Sequence, residues 1–318
     1  MYDNGSVRRG KRRFDDEATF AKRNRHRQSL PSEEESEDGP PEGDRWSTWD
    51  QSTPTERGPL PHPQWLVTDL AAVDTELGVL KTGKEADVFL LRRGVPATGV
   101  PATDVPATDV PATTNSCLLA AKRYRDADHR MFHRDSGYLE GRKTRDSRVN
   151  RAMSSRSSFG REAIAGQWAY AEFNALVRLF SAGVPVPYPV QIVGTEILLE
   201  FIGTDDGTAA PRLAETRPDP DELVSLWDQL TDALVALARD GLAHGDLSAY
   251  NLLVQDGRLI MIDLPQVVDV IANPRGASFL DRDAANIGRW FTQHALSGTK
   301  VTPEDLPALL REEAMLDR

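Results

Sequence analysis

The sequence predicts an α+β fold in two lobes, an N-terminal antiparallel sheet with one helix followed by a mainly helical half. Three observations carry this. Short apolar or alternating segments, LGVLKTGKEADVFLLR at 77–92, CLLAAKRYR at 117–125 and EILLEFIG at 196–203, read as strands. Two stretches have helical periodicity. In the first, 161–182, Ile164, Trp168, Leu176 and Phe180 fall on one i+4 row; in the second, Leu223, Leu226, Trp227, Leu230, Leu234 and Leu237 share a face and Gly241 is the stop. Beyond the second helix, NLLV (251–254) and RLIMID (258–263) flank the turn Gln255–Asp256–Gly257 as a hairpin, and helix resumes near Phe279.

The bulk properties narrow the function classes. The chain has 318 residues, enough for one large or two modest domains, and its net charge of 38 − 49 = −11 opposes general nucleic-acid coating. The one cysteine, Cys117, excludes an internal disulfide framework and suits a reducing compartment. No apolar run approaches the roughly 18 residues of a membrane span. The basic start MYDNGSVRRGKRR lacks an apolar segment after it, so no secretory signal is expected. A cytoplasmic protein, away from membranes, is expected.

Composition also sets boundaries. Residues 1–62 are polar, charged and proline-rich, with a basic block at Arg8–Arg13 before an acidic one at Glu33–Asp38; a disordered tail is expected there. Residues 95–114, VPATGVPATDVPATDVPATT, repeat every five residues, and the prolines forbid helix or central strand, so this is an exposed loop insertion. The ordered parts then divide into an N-lobe at 63–202, with a second flexible segment at 126–160, and a C-lobe at 203–318. Residues 129–161 hold nine Lys/Arg against three Asp/Glu, with serines at 154, 155, 157 and 158.

The residues that carry chemistry come in three groups. His244-Gly245-Asp246-Leu247-Ser248-Ala249-Tyr250-Asn251 is followed twelve residues later by Asp263. These polar groups sit at the ends of short apolar segments, where backbone is fixed and side chains are available. Asn251 and Asp263 can offer hard oxygens to Mg²⁺, leaving Asp246 to orient or deprotonate a hydroxyl. His244 is expected to bond backbone, and the histidines show no metal-ligand spacing. In the second group, Glu172 interrupts the apolar row of its helix while Lys122 stands amid Leu118, Leu119, Ala120 and Ala121. A carboxylate facing a core needs a cation, so the two are expected to pair, either to hold the lysine for phosphate oxygens or as a pair without a ligand. The third group is Lys81-Thr82-Gly83-Lys84, a turn between strands. With a single glycine it satisfies neither phosphate-loop pattern and on its own reads as an ordinary hairpin turn.

In this order the pieces resemble the RIO family of atypical protein kinases, in the subgroup related to its first member. The resemblance covers about 65–295 and rests on TGKEADVF, AAKRY, W-x-x-x-E-F-x-x-L-x-R-L, LLEFIG, HGDLSAYNLLV, IDLPQVVDV and FLDRDAANIGRWF. Pro265-Gln266 stand where ordinary protein kinases have Phe-Gly. The resemblance implies a protein-kinase-like fold, ATP held by Thr82, Gly83, Lys84, Val88, Lys122, Glu172, Ser248 and the backbone of Glu200 and Ile202. It implies Mg²⁺ (or Mn²⁺) at Asn251 and Asp263, and Asp246 as catalytic base, with Lys122 and Asp263 also in the catalytic set. It suggests that Asp283 anchors the catalytic loop, and that the basic segment folds toward ATP and is phosphorylated on serine.

Three functions follow as expectations. The first is a serine/threonine protein kinase acting on a protein substrate or on itself; Pro265-Gln266, Ser248 and the arginine-rich segment favour it. The second is a small-molecule phosphotransferase of the aminoglycoside or choline type, for which the roughly 55 residues after Asp263 leave little substrate region. The third is a nucleotide-switched assembly factor, with a ribosome-related partner by family analogy alone and Asp263 as a possible phosphate acceptor.

Overall fold

A computed structural model of the chain describes residues 43–96, 113–125, 158–264 and 267–316. Most of the expected tail, the bulk of the pentapeptide repeat, the basic segment up to residue 157 and Pro265–Gln266 lie outside them. The strands are β1 (Arg45–Trp46), β2 (Val73–Thr82), β3 (Ala86–Pro96), β4 (Thr113–Tyr124), β5 (Pro189–Val193), β6 (Glu196–Glu200), β7 (Leu242–Ala243), β8 (Leu252–Gln255), β9 (Arg258–Met261) and β10 (Val268–Asp269). The helices are α1 (Ser158–Ser181), α2 (Pro220–Arg239), α3 (Gly276–Gln293) and α4 (Leu306–Glu313). The two-lobed α+β expectation holds.

The N-lobe is a six-stranded antiparallel sheet in the order β1-β2-β3-β4-β6-β5. Strand alternation gives it two working faces. On β4, Cys117, Leu119 and Ala121 point to one side, where they pack with Trp49, Leu66, Val67, Tyr188 and Leu198. Lys122 and Tyr124 point to the other side, on which Tyr124 packs with Ala169 and Phe173 of α1. Glu172 lies between these α1 residues, so the helix carries its carboxylate under the sheet.

The first face corrects the expected tail boundary at residue 62. Residues 43–62 form β1, a 3₁₀ turn at Pro54–Glu56 and a strap over the sheet. Trp49, Ser47 and Ser52 are buried. The Arg57 guanidinium lies 4.5 Å from the Trp49 ring centre and donates to the Trp49 carbonyl at 2.6 Å. Gly58 donates to Val190 O at 3.0 Å. A Cβ at Gly58 would sit 2.0 Å from Pro189 O, so only glycine fits. A few anchors hold this polar stretch, which average composition does not register.

In the C-lobe, α2 starts at Asp219, whose carboxylate accepts the N–H groups of Asp221 and Glu222, and ends before Gly241, whose φ is 71°. Its apolar face, with Trp227 fully buried, packs on Leu280, Ala284, Ile287 and Phe291 of α3 and on Leu306 and Leu310 of α4. The hairpin β8–β9 turns at Asp256 (φ 50°) and Gly257 (φ 71°), two consecutive positive φ values as a tight hairpin requires.

Candidate active site

Between the lobes lies a cleft of about 800 Å³, a volume suited to a nucleotide. Val88 and Ala120 of the sheet form one apolar wall and Leu253 and Ile262 the other, with Glu200, Phe201 and Ile202 along the connection between lobes. Lys122, Glu172, Asp246 and Asp263 line the polar end, together with Lys81, Gly83 and Lys84 of the turn.

The polar end is built from one continuous set of hydrogen bonds. Lys122 Nζ lies 2.7 Å from Glu172 Oε1 and 2.8 Å from Asp263 Oδ1. Glu172, 1% exposed, also accepts the Tyr124 hydroxyl and, at 3.1 Å, the Leu264 N–H. The predicted pair of Lys122 and Glu172 therefore forms and also gathers the residue after Asp263. Burial alone would lower the Lys122 pKa, but the charges of Glu172 and Asp263 reverse this and raise it, so the ammonium persists. Burial pushes the Asp263 carboxyl up, yet Lys122 and then Lys81 pull it down to about 2. Asp263 is thus a carboxylate across the ordinary pH range. Its backbone has φ 64°, a left-handed conformation that aspartate tolerates better than most residues.

The loop bearing Asp246 is anchored from below. Asp283, 1% exposed, accepts Gly245 N–H at 2.7 Å and Leu247 N–H at 3.1 Å, while Arg282 donates to Gly245 O. Burial raises the Asp283 pKa, against the opposing pull of His244 and these N–H groups. His244 spans the site's backbone: its Nδ1 accepts Asp246 N–H at 3.4 Å, which leaves an Nε2–H to donate to Ile262 O at 3.2 Å. It bonds backbone, as expected. Asp246 itself is exposed at the open side.

Asn251 and Asp263 are tied through the hairpin. Ile262 N–H donates to Asn251 O at 2.9 Å, extending the β8–β9 register to the residue before Asp263. Asn251 Nδ2 donates to Asp246 O at 2.9 Å, which leaves its Oδ1 as an acceptor. With the Asp263 carboxylate this makes two hard oxygen donors, a set that fits a divalent cation taking its other ligands from phosphates. Among the described residues no group of three His, Cys, Asp or Glu forms a self-sufficient metal cluster.

The other expected residues divide. Gly83, Lys84, Val88, Glu200 and Ile202 line the cleft; Thr82, Ser248 and Asn251 are not among its lining residues. Gly83 N–H donates to Ala86 O at 3.0 Å, and a Cβ there would come within 2.7 Å of that oxygen. The Glu200 side chain turns to accept Tyr188 N–H at 2.9 Å, and Ile202 O accepts Ala210 N–H at 3.0 Å. Three participants had no role assigned from sequence. Tyr124 stands two residues beyond Lys122, hence on the same face, and that spacing was the available signal. Arg282 adjoins Asp283. Lys81 was legible only as the start of the turn, because its direction depends on a strand irregularity.

A model of the RIO domain matches residues 119–306, more than half of the chain. The RIO-type serine/threonine-protein kinase Rio1 of Haloferax volcanii is 34% identical over 220 residues, 69% of this chain and 64% of its own length. That of Thermoplasma acidophilum is 30% identical over 176 residues, 55% of this chain and 84% of its own. The serine/threonine-protein kinase RIO1 of Saccharomyces cerevisiae is 28% identical over 223 residues, 69% of this chain and 44% of its own. The chain thus spans 44–84% of the length of these relatives. With the domain match and this two-lobed architecture together, the chain belongs to the RIO family.

Proposed function

We propose that the chain transfers the γ-phosphate of ATP to serine or threonine hydroxyls, including its own, as a RIO-type protein kinase. The observation that carries this is the convergence of Lys122, Glu172, Asp263 and Asp246 at the polar end of a nucleotide-sized cleft with an apolar slot. Family membership and the names of the relatives point the same way.

In this reading the adenine lies between Val88 and Ala120 on one side and Leu253 and Ile262 on the other, against the backbone of Glu200 and Ile202. Lys122, locked by Glu172, meets phosphate oxygens. The oxygens of Asn251 and Asp263 would hold a divalent cation, Mg²⁺ or Mn²⁺, which would supply positive charge to offset that of the phosphates. Asp246 accepts the hydroxyl proton as the oxygen attacks the γ-phosphorus and the bond to the β-phosphate oxygen breaks, releasing ADP. The expected acceptors Ser154, Ser155, Ser157 and Ser158 lie in or beside the stretch outside the described residues. Among the described residues no helix is long and apolar enough to cross a membrane, and Cys117 is a buried free thiol.

Labelled ATP tests this. Acid-stable label on the serine cluster or on added protein, absent in Asp246→Asn, is the expected result. Hydroxylamine-labile label on Asp263 with net hydrolysis indicates a nucleotide switch instead. Label only on an added small alcohol or aminoglycoside overturns the protein-kinase reading.

A further inference from the structure

Lys81 reaches the cleft because of a strand irregularity. Val79 pairs with Phe89 and Lys81 with Val88, so Leu80 is an extra residue in β2. Without that bulge Leu80 would oppose Val88, and Lys81 would oppose Asp87 and point to the other face. With it, Lys81, Val88 and Lys122 form one cross-strand row over three adjacent strands. The two lysines flank Val88 about 10 Å apart at their backbones, two strand spacings, yet both ammonium groups converge on one carboxylate. Lys122 Nζ takes Asp263 Oδ1 at 2.8 Å and Lys81 Nζ takes Asp263 Oδ2 at 3.4 Å. Both oxygens of the proposed metal ligand are thereby engaged by cations from this chain. Lys81 is the looser of the two, with its side chain 35% exposed against 10% for Lys122 and, among the described residues, without a glutamate partner like Glu172.

We infer that Lys81 is a positioning residue that acts as the resident counter-ion of Asp263 Oδ2, displaced when a divalent cation enters with the nucleotide. This rests on the phosphotransferase reading above. A cation at Oδ2 would sit against the like charge of an ammonium at hydrogen-bond distance, so the two repel and compete for the oxygen. Lys122 stays, held by Glu172 on its other side. The bulge at Leu80 is thus a device for setting how much divalent cation the site requires.

The test is Mn²⁺ binding to the full chain, read by electron paramagnetic resonance at saturating non-hydrolysable ATP analogue, which needs no turnover. Lys81→Met is expected to bind Mn²⁺ about fivefold more tightly than wild type, the effect of removing one like charge from a solvent-accessible site. Lys81→Gln gives a second reading if the Met variant does not fold, and Lys81→Arg should stay near wild type. Unchanged or weaker Mn²⁺ binding in the neutral variants overturns the inference. So does weaker binding of the analogue without metal at unchanged Mn²⁺ affinity, which would make Lys81 a phosphate ligand. Asp263→Asn separates the two levels of the argument. If it retains wild-type Mn²⁺ binding, the metal site itself is misplaced and the role of Lys81 falls with it. If it loses Mn²⁺ while the Lys81 variants match wild type, only the inference about Lys81 fails.

Discussion

Glu172 Oε1 accepts the backbone N–H of Leu264 at 3.1 Å while holding Lys122 Nζ at 2.7 Å. The glutamate of α1 therefore positions both the lysine of the sheet and the chain segment that carries Asp263. One carboxylate in the N-lobe thus orders two groups that the proposed mechanism turns toward the same phosphates.

Removing that carboxylate should damage folding as well as binding. Glu172→Ala leaves the Tyr124 hydroxyl and the Leu264 N–H without their buried acceptor and the Lys122 ammonium with Asp263 as its remaining partner. The loss expected in urea unfolding is about 3–5 kcal/mol. Glu172→Gln keeps one acceptor oxygen, so it should cost less stability and retain part of the nucleotide-dependent rise in thermal midpoint.

Lys122→Ala should abolish transfer and weaken stabilisation by ATP. Its two partners, Glu172 and Asp263, would repel each other with the ammonium gone. Wild-type turnover in this variant would show that Lys122 does not meet phosphate.

Asp283→Ala should lower the rate of transfer much more than it weakens nucleotide binding. Among the described residues its carboxylate hydrogen-bonds the loop backbone that presents Asp246, through Gly245 N–H and Leu247 N–H. Leaving two buried donors unsatisfied should cost about 2–4 kcal/mol of stability. Single-turnover rates beside equilibrium binding of the ATP analogue would separate the two effects.

Trp49→Ala and Gly58→Ala test the strap. Trp49 is 6% exposed beneath Arg57, and truncating a buried tryptophan typically costs about 3–5 kcal/mol. A disordered segment at 43–62 would leave the urea midpoint of both variants unchanged.

Acid should loosen the edge of the sheet. Burial raises the Glu196 carboxyl, but hydrogen bonds and charge from Arg45 and Arg123 outweigh it and lower its pKa below 4.5. The folded state thus favours the ionised form. Its stabilisation is present above the unfolded carboxyl's value and lost as pH falls through the depressed folded one. Wild type should therefore lose more stability than Glu196→Gln on acidification below about pH 4.5, by about 1 kcal/mol or less, since Arg45 and Arg123 are a third exposed.

By itself the sequence determined the periodic elements and the residues that look out of place. Apolar rows marked α1, α2 and the hairpin β8–β9, and a lone charge in each of two apolar patterns marked Lys122 and Glu172, because a buried charge must find a partner. The order of motifs then pointed to the family. Tertiary structure alone decided the strap at 43–62, whose polar average conceals Trp49 and the space-demanding Gly58. It also decided the direction of Lys81. Composition averages over many residues, whereas docking is settled by a few contacts. Strand pattern says which residues alternate, but a single bulged residue shifts the alternation by one, and only the pairing partner across the sheet reveals the shift.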